Sequence, residues 1–204
     1  PRVSWWMSAT LQPEWLRSVD TGERHGIWMD GPISLPACAR STGPAAIPKA
    51  IATDAIAPSE HAMFARRCAE AHAALADGEF GRITLVVCNT VERACKTYEA
   101  LEKLKTGASL ELAHSRFRPF ERANWKARFL ERSACVLGAN RIIVATQVVE
   151  AGVDISAGAL VTELAPWSSL VQRFGRCARY GGRGQVLVID RGRDEKTASP
   201  YLPE

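Results

Sequence analysis

Apolar residues in this chain fall into short solid runs separated by longer stretches with helical spacing, and that alternation sets the expected architecture. Residues 82–88, 110–114, 141–145, 159–163 and 185–189 are apolar enough to be strands buried on both faces. Between them the period changes. Residues 60–76 carry helical spacing, and residues 90–105 place Val91, Ala94, Cys95, Tyr98, Leu101 and Leu104 on one stripe. Asn89 is the expected N-cap of that second helix, with Glu92 completing a capping box. A helix over 119–137, stopped by Gly138, comes next, then a short helix after 141–145 and another over 168–179. Strand and helix alternating five times predict an α/β fold, a parallel sheet with helices on both faces. Its functional loops belong at the C-terminal strand ends, where Asn89, His114, Thr146 and Pro166 fall. Upstream, residues 4–9 read as a strand and 13–19 as a short helix, while 21–59, rich in proline and glycine, reads as an irregular connection.

Composition adds bounds. With 204 residues and 47% hydrophobic content, a domain of this size buries roughly 70% of its unfolded surface; one complete domain plus a remnant is the expected count. The net charge of +4 permits a nucleic-acid partner without requiring one. The six cysteines, at 38, 68, 88, 95, 135 and 177, include no Cys-x-x-Cys pair. That pattern points to reduced thiols in a cytoplasmic protein rather than to zinc or disulfides, and no metal site is expected. No apolar run is long enough for a membrane span.

Two segments carry candidate chemistry. In 168–179, Gln172, Gly175, Arg176 and Arg179 follow i, i+3, i+4, i+7 spacing, which on one helix stacks two guanidinium groups and a carboxamide along a stripe. Leu170, Val171, Phe174, Cys177 and Ala178 would dock the opposite face. Planar, permanent cations on an anchored helix suit a phosphate; taken alone, the stripe reads first as a solvated basic face. In 141–155, an apolar strand runs into Thr146-Gln147-Val148-Val149-Glu150-Ala151-Gly152-Val153-Asp154. Thr146 can offer a hydroxyl and backbone N–H groups to phosphate, Gly152 lets a backbone approach closely, and Asp154 can accept from ribose hydroxyls. Singly, each is also an ordinary turn or cap residue.

Together, and about 20 residues apart, these segments resemble motifs V and VI of superfamily-two helicases. Trp6-Met7-Ser8-Ala9-Thr10-Leu11 resembles motif III, Leu85 to Ala94 motif IV, and Leu112-Ala113-His114-Ser115-Arg116-Phe117-Arg118-Pro119-Phe120-Glu121-Arg122 motif IVa. The asparagine-threonine turn, the His-Ser-Arg-Phe segment, the Thr-Gln-Val-Val-Glu-Ala-Gly loop and the Gln-Arg-Phe-Gly-Arg segment resemble the CRISPR-associated helicase-nuclease of type I systems.

The resemblance implies a RecA-like second motor domain over 60–204, with residues 1–20 a remnant of the first motor domain and Ser8, Ala9 and Thr10 coupling the two. It implies ATP between two motor domains, with Arg176 and Arg179 as arginine fingers and Gln172 orienting the terminal phosphate or its water. Gly152, Asp154 and Arg173 would sense the nucleotide. Asn89, Thr90, Arg116, Thr146 and Gln147 would grip single-stranded DNA through its phosphates, although Asn89 also reads as only a helix cap and Arg116 as a surface arginine. The chain has no Gly-Lys dipeptide, and none of His25, His61, His72 and His114 precedes an aspartate. The phosphate loop, the magnesium ligands and the nuclease are therefore expected elsewhere, in missing first motor and nuclease domains, and the chain is expected to be a C-terminal piece of a larger protein that is inactive alone. Its implied partners are single-stranded DNA and the type I RNA-guided surveillance complex. A non-catalytic binding module retaining the helicase fold, and an RNA helicase of the same superfamily, are the rival readings.

Overall fold

The computed structural model describes residues 46–192 and Tyr201, and the described residues from Ile47 onward belong to one compact unit. Everything expected upstream of residue 46, including Ser8, Ala9 and Thr10, lies outside the described residues. Six strands, β1 (Lys49–Ala55), β2 (Arg82–Val87), β3 (Ser109–Ala113), β4 (Asn140–Ala145), β5 (Ala159–Glu163) and β6 (Gly184–Asp190), form one sheet in the order β1-β6-β5-β2-β4-β3. Every pairing is parallel. Among the described residues four α-helices accompany them: α1 (His61–Ala73), α2 (Val91–Leu104), α3 (Pro119–Trp125) and α4 (Trp167–Phe174).

The solid apolar runs are explained by burial on two sides. On the inner strands, Ile83, Leu85, Val87, Ile143 and Leu160 join one core with Phe129 and Leu130. Their sequence neighbours Val86, Ile142, Val144 and Val161 join another with Phe64 of α1 and Leu101 of α2. Period-two alternation thus feeds both layers, and each fully buried aliphatic contributes about 1.5–3 kcal/mol. All strands being parallel, the turns after β2, β3, β4 and β5 share one edge of the sheet.

Four expectations need correction. Residues 49–55, assigned to the irregular connection, form β1. The strand is exposed along most of its length and is held by backbone pairing to β6 from Lys49↔Gly184 to Ala55↔Asp190, so no hydrophobic alternation marks it. Thr90, not Asn89, caps α2: its Oγ1 accepts the Arg93 N–H at 3.2 Å, while Asn89 is occupied elsewhere. The helix over 119–137 breaks after Trp125 into a π turn, Lys126–Leu130, and a 3-10 turn, Arg132–Ala134. The wider turn buries consecutive Phe129 and Leu130, and the Leu130 carbonyl accepts the Asp154 N–H at 3.0 Å instead of continuing a helix.

The fourth correction concerns residues 168–179, which are not one helix. α4 stops at Phe174, Gly175 caps it, and Cys177 forms a parallel bridge with Ala157. The Ala178 N–H then bonds the Ala157 carbonyl at 2.8 Å, with Ala178 in the left-handed region at φ 49°. A tertiary strand contact overrides helical propagation.

Candidate functional site

The end of α4 separates the arginines that the spacing had stacked. Arg173, on the last turn, is 0% exposed. Its Nε donates to Glu150 Oε1 at 2.8 Å, Nη1 to Thr162 Oγ1 at 2.8 Å, Asn89 Oδ1 at 3.1 Å and the Glu163 carbonyl at 3.1 Å, and Nη2 to Tyr201 Oη at 3.0 Å. It ties together the ends of β2 and β5 and the loop after β4. The donors of Arg173, expected to meet a nucleotide, are taken up inside the protein.

Arg176, expected outward, turns inward because the loop after β4 presents carbonyls that need donors. Its Nε bonds the Val149 carbonyl at 3.1 Å, Nη1 the Val153 carbonyl at 2.9 Å and Nη2 the Glu150 carbonyl at 2.5 Å. One guanidinium thereby fixes the backbone on both sides of Gly152. Burial, then the nearby charge of Arg179, hold its pKa below the usual arginine value.

Arg179 is different. Its side chain is 40% exposed, and its Nε pairs with Asp154 Oδ1 at 2.9 Å. Both residues line an open pocket of about 590 Å³ with Lys126, Arg132, Ser133 and Gly152. Arg132 stacks over the Tyr180 ring at 4.7 Å, and the Tyr180 hydroxyl donates to the Asp154 carbonyl at 2.6 Å. Together with the Leu130 carbonyl on its N–H, Asp154 is held from two elements. Gly152, at φ +71°, has nothing within 4 Å of an added Cβ, so its glycine answers to backbone conformation rather than to close approach within this structure. Gln172 is half-buried on α4 and does not line this pocket.

At the sheet edge the proposed strand-gripping residues divide. Asn89 is buried. Its N–H donates to Glu163 Oε2 at 2.6 Å and its Nδ2 to the Leu164 carbonyl at 2.7 Å, while its Oδ1 accepts from Arg173. Its side chain thus braces the edge rather than facing out. Thr146 is also buried and starts the 3-10 turn Gln147–Val149, its N–H bonded to the Ala113 carbonyl at 3.1 Å. Gln147 Nε2 donates to the Asn89 carbonyl at 2.8 Å and lies 3.4 Å from Tyr201 Oη. Thr90 is half-buried at the α2 cap, and Arg116 is exposed. Of the five, Arg116 alone is presented openly, and the Asn89 and Thr146 side chains, expected to grip the strand, are buried at the edge.

A family model described as "CRISPR-associated nuclease/helicase Cas3, C-terminal" matches residues 80–182, just over half of the 204 residues, and spans β2 through the Arg176–Arg179 turn. The chain belongs to this Cas3 C-terminal family. It is 30% identical over 124 residues, 60% of the chain and 20% of the relative, to a CRISPR-associated helicase Cas3 of Thermoproteus tenax. Its fold is similar to the T. fusca Cas3-ADP crystal structure, with a TM-score of 0.60 at 22% identity over 88% of this chain and 21% of that one. It is also similar to a chain in a structure described as a CRISPR RNA-guided surveillance complex, pre-nicking, with a TM-score of 0.55 at 23% identity over 78% of this chain and 20% of the other. The chain thus spans about a tenth to a fifth of the length of the Cas3 relatives it matches.

The Cas3-like edge also contains residues that motif spacing does not assign. Glu163, 1% exposed at the end of β5, pairs with Arg93 Nε at 3.3 Å and lies 3.7 Å from Arg191 Nε. Burial pushes its carboxyl up, and Arg93, the Asn89 N–H, Arg191 and Arg173 oppose that shift. A glutamate closing an apolar strand is the available sign. Glu150, which receives Arg173, stands inside the loop after β4, but nothing in its spacing distinguishes it from a solvated loop residue. Among the described residues no group of three His, Cys, Asp or Glu is placed to hold a metal ion.

Proposed function

We propose that this chain is the second motor unit of a larger ATP-dependent translocase that moves on single-stranded DNA in CRISPR interference. The supporting observation is the Arg179 side chain, paired to Asp154 through Nε and lining an open pocket bounded by the loop that Arg176 clamps. The donors of this pocket suit the phosphate end of a nucleotide: Arg179, Lys126 and Arg132 supply charge, and the Ser133 hydroxyl and loop N–H groups supply neutral donors.

ATP, when bound, supplies the phosphoanhydride bond whose cleavage drives movement. Arg179 stabilises charge developing on the terminal phosphate, and Asp154 fixes its direction in advance, so little reorganisation remains for the transition state. Arg176 acts one step back, holding Gly152, Val153 and Asp154 in position. Arg173 and Asn89 join that loop to the ends of β2 and β5, the edge at which Arg116 and backbone donors take phosphates without reading bases. Nucleotide side and strand side thus share one rigid connector. Magnesium belongs on ligands of the first motor unit, and the surveillance complex delivers the DNA.

The test is DNA-stimulated ATP turnover by the intact protein. Arg179→Ala should lower it by ~10³-fold or more, as for other arginine fingers, with single-stranded DNA affinity unchanged. Turnover near the parental rate would overturn the assignment, and stimulation by RNA instead of DNA would move the chain to the RNA-motor reading.

A further inference from the structure

Beyond the pocket and its connector, the segment after β3 has features that core packing does not explain. Helix α3 buries none of its residues. Phe120, on its first turn, is 64% exposed, among the most exposed large apolar side chains described. Residues 114–128 carry five cations against Glu121 alone, a net charge of +4, as large as that of the entire chain. Arg128 pairs with Glu111; Arg116, Arg118 and Arg122 are exposed and form no ion pair among the described residues.

The segment is braced from within despite its exposure. His114, Phe117, Trp125 and Phe129 form a ladder of rings at centroid distances of 4.3, 4.9 and 6.4 Å, leading from the end of β3 into the core. The Glu121 carboxylate fixes the first turn by accepting the Arg118 N–H at 2.7 Å. Phe120 stands outside the ladder, with the Arg118 guanidinium 5.9 Å from its ring centroid. An exposed ring on a braced helix, with the Arg118 guanidinium beside it and Arg116 and Arg122 exposed in the same segment, has the composition of a single-strand stacking site: the cations take phosphates and the ring takes a base face.

We propose that Phe120, flanked by Arg116, Arg118 and Arg122, is a base-stacking site for single-stranded DNA beside the strand edge. The site rests on the translocase reading and adds to it a contact with the bases themselves. Stacking is tolerant of sequence because every base has a π-face, so such a platform resists slippage without imposing a code.

The test is equilibrium binding of the full 204-residue chain to a dT oligonucleotide and to an abasic oligonucleotide of equal length. Phe120→Ala should weaken dT binding by about 5- to 150-fold, the range for base–aromatic stacking, and leave abasic binding unchanged. Phe120→Trp should restore dT binding. Arg116→Ala should weaken both ligands alike. Thermal melting of Phe120→Ala should match the parent, since the ring is exposed. If Phe120→Ala binds dT as the parent does while Arg116→Ala does not, the stacking site is wrong, the translocase reading stands, and Phe120 is left to a protein contact. Equal weakening of both ligands by Phe120→Ala also overturns stacking. If the parent chain binds neither ligand, the translocase reading fails and the site fails with it.

Discussion

Arg173, Arg176 and Arg179 lie within seven residues of one another, yet burial separates their chemistry. A guanidinium that donates to three backbone carbonyls cannot be removed without leaving those acceptors short of partners, at about 1–3 kcal/mol for each buried one that finds no water. Arg176→Ala should therefore destabilise the chain by about 3 kcal/mol in urea denaturation, with Arg176→Lys intermediate because an ammonium cannot span Val149, Glu150 and Val153. Arg179→Ala removes a half-exposed ion pair and should shift stability by no more than about 0.5 kcal/mol. If Arg176→Ala melts like the parent, the clamp is not structural. Residue types and spacing at 172–179 admit phosphate chemistry as they admit a solvated basic face. Which arginine remains available cannot be read from spacing, because the bridge between Ala157 and Cys177 that ends α4 early comes from a segment nearly twenty residues upstream.

At the scale of elements, strands buried on both faces are legible in the sequence because a two-sided core leaves them no polar positions. The edge strand β1 is not, since its stabilisation is backbone pairing and its side chains are mostly exposed. α1 is legible as a helix, but its anchor is hidden. His72 is buried at 3% exposure, its Nδ1 2.9 Å from Thr84 Oγ1 on β2 and its Nε2 2.9 Å from Asn140 Oδ1 on β4. Burial holds its pKa below the ordinary value near 6.5, with Arg82 adding to the effect and the Asn140 hydrogen bond opposing it. The unfolded chain therefore binds a proton that the folded chain refuses, so stability is full above about pH 6.5 and falls as pH drops through the window beneath. His61 and His114 are shifted in the same direction. Urea midpoints should decline from about pH 7.5 to 5.5, and His72→Gln should flatten part of that slope while lowering stability at the higher pH. An identical slope in the variant would remove His72 from the account.

At the scale of the whole molecule, the proposed division of labour between two motor units sets what this chain should do alone. The pocket beside Asp154 holds donors and cations, yet the 204 residues contain no Gly-Lys-Ser/Thr loop to cradle a triphosphate. An arginine finger stabilises charge on a phosphate that other groups have already positioned, so its contribution disappears when those groups are missing. The chain alone should consequently show no DNA-stimulated ATP hydrolysis above background, even at saturating single-stranded DNA. The same chain should still bind the oligonucleotide, because the strand edge and the platform on α3 are both within it. Binding and turnover are thereby separated in one preparation. Binding without turnover fits one half of a two-unit motor, whereas turnover above background that Arg179→Ala abolishes would mean that the chain assembles a complete site of its own and that the division between units is drawn in the wrong place.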